Sequence, residues 1–84
     1  MEITYTLYKA KIDSDDLHEV YKNTWTTITV KELKAHLSIR IKVAGKLGYN
    51  IRYTEQGRKT ALIFEKYFHN HIYVREIYQY PTLK

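Results

Sequence analysis

Eighty-four residues, 44% of them hydrophobic, with only three glycines and one proline, make one folded domain spanning 1–84 and leave no room for a second. The absence of cysteine excludes a disulfide framework and any thiolate metal site, so stability must come from one hydrophobic core, or from a core shared with a partner. Fourteen Lys and Arg against nine Asp and Glu give a net charge of +5, which excludes a mimic of DNA and favours a polyanionic partner.

Residues 2–12 (EITYTLYKAKI) are rich in β-branched and aromatic side chains and are expected to form a strand. Ile3, Tyr5 and Leu7 share one face, whereas Tyr8, Ala10 and Ile12 share the other, which implies a bulge or burial on both sides. This opening alternation does not have the basic flank and apolar block of a signal peptide. No apolar run approaches the roughly 18–20 residues that span a bilayer, so a cytoplasmic location and no membrane partner are expected. Asp13-Ser14-Asp15-Asp16 suits the N-terminus of a helix, and Leu17, Val20 and Tyr21 follow at helical spacing as far as Asn23. Thr24 to Ile28 then predicts a short strand, with the lone tryptophan, Trp25, as a core anchor between the first helix and the sheet.

Thr29 and Glu32 stand at capping-box spacing and open a helix through Leu37, with Val30, Leu33 and Leu37 on one face. Residues 38–48 fit two periods. Ile39, Val43 and Leu47 are spaced for a helix, while Ile39, Ile41 and Val43 alternate with Arg40 and Lys42 as in a strand. From Tyr49 the pattern is β. A hairpin turns at Glu55-Gln56-Gly57-Arg58, a second turn falls at His69-Asn70, and Ile72 to Tyr80 forms a last strand ended by Pro81.

Constellations that would carry catalysis are absent. Ser14 and Ser38 read as a cap and a turn, and neither sits in a glycine-flanked elbow. Asp13, Asp15 and Asp16 are explained by capping, and the three glycines lack the spacing of a phosphate loop. His69 and His71 share one side of an extended segment, but structural zinc takes four ligands, so no metal, no cofactor and no enzymatic activity are expected. His18 and His36 are expected to face solvent. Nine tyrosines suit strands first, and interfaces or base stacking second.

Residues 29–64 resemble the winged helix-turn-helix family of DNA-binding domains. Glu32-Leu33 and Leu37 match its supporting helix, Ser38-Ile39 its turn, Ala44 and Leu47 the inward positions of its recognition helix, and Ile51–Phe64 its wing. The resemblance implies an α+β fold with an added antiparallel sheet from the N- and C-terminal strands, one edge of which could pair with its twin in a homodimer. It implies double-stranded DNA as the partner, with the recognition helix in the major groove and the basic hairpin beside it. Arg40 would read a base, Lys42, Lys46, Arg52, Arg58 and Lys59 would grip phosphates, and Gln56 would reach a base edge. Size and composition would suit a phage or mobile-element protein. The alternative is a mostly antiparallel β-sheet with one or two helices. It would serve as a small inhibitor or adaptor that engages a protein of the host defence or replication machinery through Tyr67, Tyr73, Tyr78 and Tyr80.

Overall fold

The computed structural model describes residues 1–11, 14 and 16–83. Among them, strands β1 (Ile3–Ala10) and β2 (Leu17–Trp25) precede a single helix, α1 (Val30–Lys46). Strands β3 (Asn50–Gln56), β4 (Lys59–Phe68) and β5 (His71–Pro81) follow. The strands form one antiparallel sheet in the order β2-β1-β5-β4-β3. This is the antiparallel alternative with one helix, and it replaces the winged helix-turn-helix expectation. The N- and C-terminal strands are no outer addition: β1 and β5 pair with each other inside the sheet, and the free edges belong to β2 and β3. No helix among the described residues is long and apolar enough to cross a membrane.

Two local readings fail for identifiable reasons. The expected first helix is strand β2. Its Leu17, Val20 and Tyr21 mimic a helical period because the register against β1 shifts between Leu7 and Tyr8, leaving Val20 as the extra residue. A two-turn helix is marginal alone, and pairing with β1 offers these β-branched and aromatic side chains a better environment. Ser14 Oγ accepts from the Asp16 amide at 3.1 Å within the connection, while the capping roles expected of Asp13 and Asp15 lie outside the described residues. The strand expected at 24–28 is only the end of β2, since Thr26 to Ile28 leave the sheet.

The second failure concerns the turn at Ser38-Ile39. Helix α1 runs through it without a break, because neither Gly nor Pro lies between Leu37 and Ala44, and Leu33, Leu37 and Ala44 stay on one buried face. The ambiguous segment is therefore helical, but it continues the supporting helix and is not a separate recognition helix. The capping box is formed as expected: Thr29 Oγ1 accepts from the Glu32 amide at 3.1 Å, and Glu32 Oε1 accepts from the Thr29 amide at 3.2 Å. The Thr29 hydroxyl also donates to Glu32 Oε1 at 2.8 Å, and this bond, followed by that from the Thr29 amide, holds the Glu32 carboxyl below its ordinary range. Thr29→Ala should lower stability by about 1 kcal/mol, read as a fall in Tm of about 4–8 °C. At the other end Gly48 adopts φ 80°, and the amides of Gly48 and Tyr49 bond back to the carbonyls of Gly45 and Ala44.

The meander β3-β4-β5 follows the sequence reading closely. Gln56 pairs with Lys59 around a two-residue turn that has Gly57 at φ 64°, and Phe68 pairs with His71 around His69 and Asn70, both at positive φ. Alternation then sends Leu62, Phe64, Tyr78 and Tyr80 to one face, where they meet Ile3, Leu33, Leu37 and Ala44 in the core. Met1 is tied down there, its ammonium donating to the Ile28 carbonyl at 2.8 Å.

The helix covers only part of this face. Five strands at roughly 4.8 Å spacing put about 19 Å between the outer strand axes, whereas a helix with its side chains is about 10–12 Å across. Helix α1 reaches β5 through His36 and Arg40, which meet Tyr78 and Glu76, and Ile41, Tyr49 and Ile51 are half-buried against the core. Strand β2 contributes no residue to the core.

Candidate interaction surfaces

Three arginines are consumed internally. On the helix-bearing face Glu76 is buried; its Oε1 accepts from Tyr5 Oη at 2.6 Å and from Arg40 Nη2 at 3.0 Å. Burial, reinforced by this bond to Glu76, raises the Tyr5 hydroxyl well above the usual tyrosine range. On the opposite face Glu65 is buried and accepts from Arg52 Nε at 2.8 Å and from Arg75 Nη2 at 2.7 Å. Burial pushes the Glu65 carboxyl up, but the hydrogen bonds and charges of Arg52 and Arg75 prevail and hold it below its ordinary range.

The residues expected to grip DNA are therefore not on one surface. Arg40 is held by Glu76 on the sheet, with about a third of its side chain exposed. Lys42 and Lys46 lie exposed on the outward side of α1. Arg52 sits on the sheet face turned away from the helix, and Gln56, Arg58 and Lys59 surround the exposed β3-β4 turn. The tyrosine set divides as well. Tyr78 and Tyr80 are core residues beneath α1, while Tyr67 and Tyr73 are exposed beside Phe68 near the β4-β5 turn. Among the described residues no group of three or more His, Asp or Glu is placed to hold a metal ion.

The surface that does assemble was missed by the sequence reading. Because α1 stops short of β2, a strip of the same sheet face along β2 is left open, bordered by Ile3, Tyr5 and Leu7 of β1, which are buried or half-buried. Ile3, Trp25, Ile28, Glu32, His36 and Tyr78 line a groove of about 290 Å³ at one end of it. Trp25 is no core anchor: it is 42% exposed, and Tyr21, four residues earlier on the same face of β2, is 52% exposed. Tyr21, Tyr5 and Tyr78 form a ladder across three strands, with centroid separations of 6.1 and 4.9 Å. His36 does not simply face solvent, since its ring meets Tyr78 edge-on and its Nε2 lies 3.3 Å from the Tyr78 hydroxyl.

Glu32, His36, Ile39 and Val43 follow at i, i+4, i+7 and i+11, so they share one side of α1 and extend the groove wall toward the helix C-terminus. Ile39 is 63% exposed and Val43 37%. The open strip thus has an aromatic floor and a wall that is polar at Glu32 and His36 and aliphatic at Ile39 and Val43. The sequence signal for it was the pair Ile39 and Val43, four residues apart on a side of the helix away from Leu33 and Leu37.

Comparisons with protein-family models, with curated proteins and with solved structures found no match to this chain.

Proposed function

We propose that this chain is a protein-binding module that takes an amphipathic helix of its partner into the open strip beside α1. The observation that carries this reading is the groove lined by exposed Trp25 with Ile3, Ile28, His36 and Tyr78, together with exposed Tyr21 on the same face of β2 and exposed Ile39 and Val43 on the same side of α1 as His36. Contiguous apolar surface of this kind marks interaction sites, and Trp and Tyr are the side chains most enriched at binding hot spots. From β5 to β2 the sheet spans two strand spacings, about 10 Å, which is close to one helix diameter. The wall of the open strip from Glu32 to Val43 spans roughly 16 Å, or three helical turns. A guest helix there would complete the second layer that the sheet lacks.

The test is comparative capture with tagged protein. A partner retained by the wild type should be lost with Trp25→Ala or Ile39→Ser and retained with Tyr67→Ala, which lies at the far β4-β5 end. For a purified partner, Trp25→Ala should weaken binding by about 30-fold or more, the effect of a hot-spot residue. A partner bound equally by wild type and Trp25→Ala would refute the assignment.

A further inference from the structure

The outward side of α1 carries a different chemistry from the groove. We infer that it is a binding face for the phosphodiester backbone of a nucleic acid, separate from the aromatic groove. Lys31, Lys34, Lys42 and Lys46 are all exposed, and none makes an ion pair or hydrogen bond among the described residues. At about 100° per residue they fall within an arc of roughly 120°, and over 15 residues they extend along about 22 Å of helix. Glu32, the one acidic residue of α1, lies outside this arc on the groove side and is held by Thr29.

The charge is segregated by the fold. Glu76 pairs with Arg40, and Glu65 is shared by Arg52 and Arg75, so two of these three arginine charges are offset by buried carboxylates. The helix then presents lysines alone, as flexible point charges that suit phosphates without reading bases. The remaining residues of the arc, Ala35, Ser38 and Gly45, are small and exposed. Gly45 has nothing within 4 Å of the place a Cβ would take, so packing inside the protein does not require it. Glycine within a helix costs about 1 kcal/mol relative to alanine, and here it leaves a low surface between the lysines that a sugar-phosphate chain can approach closely.

The experiment is fluorescence anisotropy with a labelled 20-base-pair DNA duplex, titrated with the full chain between 50 and 200 mM salt. Four phosphate contacts predict a slope of log K against log salt of about −3.6, a loss of about 150-fold over that range. Lys31→Gln with Lys34→Gln, and separately Lys42→Gln with Lys46→Gln, should each reduce the slope by about 1.8. These side chains are exposed, so far-UV circular dichroism should remain that of the wild type. Trp25→Ala should leave duplex affinity unchanged, which keeps this result independent of the groove. The inference is overturned if the duplex does not bind at 50 mM salt, if the slope is flat, or if the fourfold lysine variant binds as well as the wild type. It is overturned equally if polyglutamate binds and the duplex does not, since the face would then fit an acidic protein.

Discussion

Phe64→Ala is expected to cost about 3–5 kcal/mol, the range for deleting a large aromatic side chain from a close-packed core. Phe64 is fully buried between α1 and the sheet, with its ring edge-on to Tyr78 at a centroid separation of 6.1 Å. An 84-residue domain has a total stability on the order of 4–13 kcal/mol, so this one change should leave a large unfolded fraction under native conditions. Phe64→Leu keeps most of the volume and should cost less than about 1.5 kcal/mol. Urea denaturation of the two variants measures the difference. A loss below about 1 kcal/mol for Phe64→Ala would mean that the helix does not close over β4 at this point.

The second large effect is electrostatic and has a sign that pH reveals. Removing Arg52 and Arg75 together, as Arg52→Ala with Arg75→Ala, leaves Glu65 buried on β4 without a counter-charge. Breaking a buried pair in this direction costs about 3–5 kcal/mol. In the wild type the Glu65 carboxyl is held below its unfolded value of 4.5. Its contribution is therefore present above that pH and is lost as pH falls through the lower folded value. In the double variant only burial acts on Glu65, and burial favours the protonated form. The stability deficit at pH 7 should then shrink as pH is lowered toward 4, opposite to the trend of the wild type. A deficit that stays constant with pH would show that Arg52 and Arg75 stabilise the sheet through packing and not through Glu65.

Much of this fold was legible because its signals are local. The Thr29–Glu32 capping box needs only four residues, and the turns at Gly57 and at His69-Asn70 need two each; all three formed where expected. What failed depended on partners distant in the chain. Strand β2 reads as a helix until its pairing with β1 and the register shift at Val20 are known. Arg40 looked like a surface cation because its neutralising carboxylate, Glu76, lies 36 residues away on β5.

The candidate site was the least legible part for the same reason. Trp25 and Tyr21 are exposed because α1 does not extend over β2, and no spacing within β2 reports which strands a helix will cover. Tyr78 and Tyr80 show the converse. They looked like surface tyrosines on a C-terminal strand and became core because β5 lies at the centre of the sheet, between β1 and β4.

The lone tryptophan gives the most direct measurement of the central claim. Protein labelled with 5-fluorotryptophan carries its one fluorine at Trp25, on the floor of the open strip. Addition of the unlabelled partner retained in the capture experiment should shift or broaden that single ¹⁹F resonance, and duplex DNA should leave it in place. A tight protein complex that forms while the Trp25 resonance stays at its free position and width would contradict the proposal that the groove beside α1 is the binding site.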